Sequence, residues 1–255
     1  MILKLISYVA GFNNAYSLTS AFLCNADGTA TNDADPSKVK LTVHEDSTAS
    51  ERDVAPTVAP NAEFGCSEAR FNGINTAWEY KLSQAQYNKM MANGVTIETF
   101  IRIDTHNTGH RPLGNQQSGG IGFNLDGTGG TGINLAVIGT SWPQEAGFAR
   151  APYKVGEYMH VVAGYDKTTN EAFIYINGEL MGRGGCPHGF GPPGVGNNGE
   201  SGTKPENFWF VLGGDSNSDG RTNCHFEGAM ISANVYARVL SQEQIRLLYA
   251  NYYYN

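Results

Sequence analysis

The sequence predicts an all-β fold, a two-sheet antiparallel β-sandwich of jelly-roll type with two short helices. Three observations carry this. Residues 158–166 and 172–180 alternate apolar and polar at period 2 about a polar turn, Lys167 to Asn170, and Asn177-Gly178 marks the next tight reversal. The 255 residues include 32 Gly, 13 Tyr and 12 Phe against only 16% charged residues, a turn-rich and aromatic balance that suits half-buried strands. Short strand-like runs also recur along the chain, with no internal repeat.

In chain order, residues 1–20 read as an N-terminal arm or a poor signal-like leader: Met1 to Ala10 is apolar but short, and Asn13-Asn14 interrupts it. Residues 21–255 read as one jelly-roll domain. From Ala21 to Gly73 the chain is polar and turn-rich, with Pro56 and Pro60 and one alternating run, Val39 to Val43. Ala69 to Gly73 opens a strand ahead of Trp78-Glu-Tyr80. Ser83-Gln-Ala-Gln86 has the capping-box pattern, Tyr87, Met90 and Met91 follow at helical spacing, and Gly94 ends that helix. Val95 to Ile103 is a strand with Val95, Ile97, Ile101 and Ile103 on one face and Glu98 and Arg102 on the other. Ile121 to Leu125 and Gly132 to Ile138 flank an Asp126-Gly127 turn. After the hairpin, a Gly/Pro-rich loop from Arg183 to Glu206 leads to strands at Phe208 to Leu212 and Phe226 to Tyr236. Ser241-Gln-Glu-Gln244 then caps a helix with Ile245, Leu248, Tyr249 and Tyr252 on one face.

The net charge is −7 and no Lys/Arg run exists, so nucleic acid and anionic membrane are poor partners, and no apolar run is long enough to insert in a bilayer. Cys24, Cys66, Cys186 and Cys224 are widely spaced, which rules against a structural zinc site. Their even number fits two disulfides in an oxidising, extracellular or cell-surface setting, with Cys186 and Cys224 the first pair expected; buried free thiols are the alternative.

Three segments in this order resemble the concanavalin A-like lectin/glucanase superfamily, in its laminin-G-like and pentraxin-like branch: Thr96 to Arg102; Tyr158 to Asp166 running into Phe173 to Glu179; and Leu212-Gly-Gly-Asp215, Phe226-Glu-Gly228 and Val235 to Ile245. Asp27-Gly-Thr-Ala-Thr31 is similar to the N-terminal segment of bacterial members. The resemblance spans roughly residues 20–250. It implies a two-sheet jelly roll, most often one that binds glycan or protein, and calcium in several branches. Fold does not dictate function, so individual sites carry the rest.

The sharpest local motif is Asp215-Ser-Asn-Ser-Asp-Gly220. Oxygen side chains at Asp215, Asn217 and Asp219 with a following glycine suit a calcium loop. Phe226 stands where an EF-hand needs its bidentate acid, so a non-helical calcium loop and a polar hairpin with Asx-turns are the two readings. The E-x-D-x-x-E strand of related glucanases does not occur, and no Gly-x-Ser-x-Gly elbow or His-Glu-x-x-His is present. His106 and His110 sit four apart in a glycine-containing loop and lack further metal partners. Sugar rings dock on aromatic faces while amides and carboxylates read the hydroxyls. Trp142, Phe148 and Tyr153 in one loop, and His188 and Phe190 in the next, are the ligand-binding candidates, with anchoring of the loop to the sheet edge as the alternative for Trp142 and Tyr153. The expected function is a non-catalytic extracellular or cell-surface module binding glycan or glycoprotein, with calcium assisting. The alternatives are self-assembly through the N-terminal arm and, third, a divergent glycan-degrading enzyme.

Overall fold

The structure, a computed structural model, describes residues 17–19, 22–24, 30–32, 54–81, 84–116, 119–126, 131–139, 146–191, 209–216 and 222–253. Its strands are β1 (Ser17–Thr19), β2 (Phe22–Cys24), β3 (Ala30–Asn32), β4 (Thr57–Asn61), β5 (Cys66–Asn72), β6 (Trp78–Lys81), β7 (Val95–Ile103), β8 (Leu113–Gly114), β9 (Gly120–Asp126), β10 (Gly132–Ile138), β11 (Ala146–Pro152), β12 (Tyr158–Asp166), β13 (Glu171–Ile176), β14 (Glu179–Gly185), β15 (Trp209–Leu212), β16 (Asp215–Ser216), β17 (Thr222–Asn223) and β18 (Glu227–Tyr236). The helices are α1 (Gln84–Asn93) and α2 (Gln242–Tyr253). An eight-stranded antiparallel sheet runs β14-β13-β12-β7-β18-β5-β4, with β1 also on β18, and a six-stranded sheet runs β11-β10-β9-β8-β15-β6. Because β1 is taken up by β18 of its own chain, residues 17–19 complete the home sheet. The alternating run at 39–43 lies outside the described residues.

The two sheets meet through the residues that period-2 alternation turns inward. Val95, Ile97, Ile101, Ile103, Val161, Ala163 and Ile174 of the larger sheet close on Ile121, Phe123, Leu125, Ile133, Leu135 and Val137 of the smaller, all essentially solvent-free. Burying each of the large side chains contributes roughly 1.5–3 kcal/mol. The opening hairpin forms as its pattern demands, with Val162 opposite Tyr175 and Ala163 opposite Ile174. Asn177 and Gly178 both take positive φ, 52° and 80°, as a two-residue I′ turn requires.

Two strands run where the sequence reads as loop. β4 contains Pro60 and pairs with β5 alone, so the missing N–H falls on an edge and breaks no ladder. β11 is rich in Gly, Ala and Pro, and β14 comes against its backbone. A Cβ at Gly184 would lie 1.8 Å from the Phe148 carbonyl oxygen, and one at Gly182 would lie 2.4 Å from that of Arg150. The glycines of β14 therefore let the edges of the two sheets meet and close that side of the sandwich. The expected Cys186–Cys224 disulfide does not form, and both thiols are free. Cys186 is buried at the end of β14 against Gly147, whereas Cys224 follows β17 and gives its carbonyl to the Arg111 N–H at 2.9 Å.

The outer face of the eight-stranded sheet is covered by α2. Ile245 and Leu240 pack with Val162, Phe173, Tyr175 and Tyr236. The helix starts on a reciprocal capping box: the Gln244 N–H donates to Ser241 Oγ at 3.2 Å and the Ser241 N–H to Gln244 Oε1 at 3.0 Å.

Candidate functional site

The outer face of the six-stranded sheet carries the residues that face away from the core. Register sets Phe148 opposite Ala136, Ala136 opposite Gly122, and Gly122 opposite Gly114. This makes a row of small, buried residues ending in a half-buried aromatic ring. Beside it, Arg150 stands opposite Asn134 and Asn134 opposite Asn124. The Asn124 amide donates to Asn134 Oδ1 at 3.4 Å, and Arg150 reaches Asp126 at 2.8 Å while lying 4.9 Å over the Phe148 ring. The Gln116 side chain lies across Gly122, where a Cβ would come within 2.4 Å of its Nε2. Glycine at 122 is what admits that amide.

The face deepens from its edge inward. Arg150 is exposed and Phe148 half-buried, while Asn124, Asn134 and Gln116 fall to 7%, 4% and 2% exposure. Within this recess Gln116 Nε2 and Oε1, Asn115 Nδ2 and Asn124 Oδ1 meet no hydrogen-bond partner among the described residues. Unpartnered buried amide atoms cost about 1–3 kcal/mol each, so an arrangement that keeps four of them invites a polar ligand or water. At the far end, Gln116 donates its backbone N–H to Asp215 Oδ1 at 2.7 Å, and Asp215, fully buried, forms an ion pair with Arg111.

Residues 80–246 match the Laminin_G_3 family of the concanavalin A-like lectin/glucanases superfamily. The chain belongs to that superfamily. No curated protein sequence matches it. Among solved structures it is similar to the binding domain of botulinum neurotoxin DC in complex with SialylT, at 12% identity and a TM-score of 0.61, covering 94% of this chain and 52% of that one. The same neurotoxin domain in complex with rat synaptotagmin II matches with the same figures, 12%, 0.61, 94% and 52%. The binding domain of botulinum neurotoxin serotype D matches at 11% identity and 0.62, covering 94% and 51%. This laminin-G-like chain thus spans about half the length of the solved structures it matches, and at such identity the likeness is one of fold.

Of the aromatic candidates, Phe148 is on the face just described. Tyr153 and Phe190 are corrections: both are buried in the core and offer no exposed ring. Tyr153 is tied by its hydroxyl to His106 Nδ1, and burial pushes its phenol up to about 12. Phe190 packs against Tyr165 at 6.4 Å between ring centres. His188 is exposed in the turn after β14, and Trp142 lies outside the described residues. Of the calcium candidates, Asn217 and Asp219 also lie outside them. Asp215 does not fit a cation site as placed, because its carboxylate already serves Arg111 and the Gln116 N–H. No group of three or more His, Cys, Asp or Glu side chains is arranged to hold a metal among the described residues.

A superfamily that includes glucanases directs attention to buried carboxylates, and the larger sheet has two. Glu98 on β7 is 1% exposed; it accepts from Tyr236 at 2.6 Å, Asn234 at 3.1 Å and Tyr252 at 3.4 Å, and meets His160 Nε2 at 3.0 Å. Glu68 on β5, also 1% exposed, accepts from Asn61 at 2.6 Å, Arg70 at 2.7 Å and the Tyr158 hydroxyl. Burial alone would raise the Glu68 carboxyl, but the bonds from Tyr158, Arg70 and Asn61 outweigh it and hold the group below the ordinary range. An ionised carboxylate bound by this many fixed donors has no proton to give to a leaving group. Sequence alternation puts Glu98 on the polar face of β7; its partners from β18 and α2, far away in sequence, are what the alternation could not supply.

Proposed function

We propose that this laminin-G-like chain is a non-catalytic carbohydrate-binding module acting outside the cell or at its surface, on glycan or glycoprotein. The contact surface is the outer face of the six-stranded sheet near the β10–β11 edge. The observation that carries the reading is the set of partnerless amides on Gln116, Asn115 and Asn124 beside the half-buried Phe148 ring. A pyranose presents an apolar face to an aromatic ring and a fan of hydroxyls to amides, which is the complement of this shelf. The solved neurotoxin domain with SialylT and the fold it shares with this chain support the same ligand class. No helix among the described residues is long and apolar enough to cross a membrane.

The test is a glycan array on the intact chain, followed by Phe148→Ala and Asn124→Ala on any glycan retained. Each substitution is expected to weaken retention by about tenfold, the effect of losing roughly 1.4 kcal/mol of contact. Unchanged retention by both variants would move the site elsewhere; release of reducing sugar by the wild type would replace the non-catalytic reading. Calcium assistance rests on Asn217 and Asp219, since Asp215 is engaged by Arg111. Identical retention with calcium and with chelator would remove it from the proposal.

A further inference from the structure

The last turn of α2 places a tyrosine as a bound sugar ring would sit. Tyr252 stacks on Phe100 with ring centres 4.4 Å apart and planes 14° from parallel. Its hydroxyl meets Ser232 Oγ at 2.5 Å and Glu98 Oε1 at 3.4 Å. The His160 ring lies 5.3 Å away. An aromatic platform below, with a carboxylate, a hydroxyl and an imidazole at the ring's edge, is the chemistry that recognises a pyranose.

The polar part of this site stands without Tyr252. Tyr236, Asn234 and His160 hold Glu98 by contacts of 2.6, 3.1 and 3.0 Å, and the bond from Tyr252 is the longest of the four. His160, fully buried, presents Nε2 to the carboxylate, so in the neutral ring Nε2 carries the proton and Nδ1 is left an acceptor; that atom has no partner among the described residues. A sugar hydroxyl would supply the donor that Tyr252 does not. Phe64 and Tyr158 extend the aromatic surface, at 4.9 and 5.8 Å from Phe100.

The helix is anchored unequally. Its first half is fixed by the Ser241–Gln244 capping box, by fully buried Ile245 and by the Arg246–Glu179 pair at 3.1 Å. Beyond Leu248 the last turn is held to the sheet by Tyr249 and Tyr252. Final turns have unpaired carbonyls and open first.

We propose that the last turn of α2 is a removable plug over a second, preformed site for a single pyranose ring, with Phe100 as platform and Glu98 and His160 as hydroxyl acceptors. The site lies on the eight-stranded sheet and does not depend on the Phe148 face. Saturation-transfer NMR with the methyl pyranosides of glucose, galactose and mannose, and with phenol, tests it in the full-length chain. Tyr252→Ala, folded by far-UV dichroism, is expected to bind at least one pyranoside about tenfold or more tightly than the wild type. The gain is expected to vanish in Tyr252→Ala with Glu98→Gln, and to survive Phe148→Ala, which separates this site from the first. Uptake of phenol without any pyranoside, or a gain that persists with Glu98→Gln, overturns the proposal by showing a plain packing cavity. Hydrogen exchange on the wild type reads the plug even if Tyr252→Ala does not fold. Amides 249–253 are expected to exchange without global unfolding, and protection as deep as that of β7 also overturns the proposal.

Discussion

The outer faces of the two sheets both bury polar atoms, and apart from His160 Nδ1 on the eight-stranded sheet they treat them in opposite ways. On the eight-stranded sheet, Glu98 and Glu68 are surrounded by donors from distant strands and from α2. On the six-stranded sheet, Gln116, Asn115 and Asn124 keep amide atoms that nothing in the described chain satisfies. A completed network fixes one arrangement of the chain, because each member costs free energy if its partner is lost. An incomplete one stores that cost until something else supplies the partner. The first kind of face builds the fold and the second is the one on which we place the glycan site, with Tyr252 marking a place among the described residues where the chain fills a ligand-like position by itself.

Substitutions that remove one partner from a completed pair should show this most strongly. Asp215→Ala leaves Arg111, 12% exposed in its side chain, without its counter-charge, and a loss of about 3–5 kcal/mol is expected in urea unfolding. The loss should be the same with calcium or chelator; a deficit seen only with calcium present would return Asp215 to the role of a metal ligand. Glu98→Ala strands donors from Tyr236, Asn234 and His160 and is expected to cost about 2–4 kcal/mol by the same measurement. A loss below about 1 kcal/mol would mean that the network is decorative.

On the six-stranded face the expected effects are smaller and separate stability from binding. Gly122→Ala drives a methyl toward Gln116 Nε2 at 2.4 Å and the Gly114 Cα at 2.5 Å, and about 1–3 kcal/mol should be lost, with glycan retention falling alongside. Gln116→Leu removes two unpartnered amide atoms and should leave stability within about 1 kcal/mol of the wild type, or raise it, while weakening retention. Equal destabilisation by Gln116→Leu and Glu98→Ala would erase the distinction between the faces.

How much of this was legible in the sequence follows the same division. Period-2 alternation and the Asn177-Gly178 turn specify β12, β13 and the start of β14, and Ser241 with Gln244 specifies the start of α2, because these signals are local. β4 and β11 were not legible: Pro60 and the Gly/Ala-rich run at 146–152 are tolerated only because both strands lie at sheet edges. Phe148 could be named from its type, and the alternation of β9 and β10 already turned Asn124 and Asn134 away from the core. Their meeting with Gln116 depends on strand register, which no local pattern encodes. Tyr153 was misleading for the reverse reason. An aromatic beside a proline reads as a loop ring, yet the chain folds it inward onto His106.

The histidines near that contact give the smallest expected effect, and they sharpen the comparison by making an unpartnered group titrate. His110 sits in the loop after β7, where its carbonyl accepts the Leu125 N–H at 2.8 Å and its Nδ1 is buried without a partner among the described residues. Burial lowers its pKa from the ordinary value, His225 and His106 lower it further, and Glu227 only partly opposes them. A histidine with a depressed folded pKa contributes stability above its unfolded value, near 6.5, and loses it as pH falls through the folded value. Melting temperature is therefore expected to drop between pH 7.5 and pH 5, and His110→Gln to flatten part of that drop without changing the value at pH 7.5 by much. Because the ring is only partly buried, solvent screening keeps the contribution small. An unaltered pH profile in His110→Gln would assign the acid sensitivity to the paired carboxylates of the other face. Glu68, whose pKa is held down by its donors, would then be the first residue to examine, since its stabilisation is also lost as pH falls.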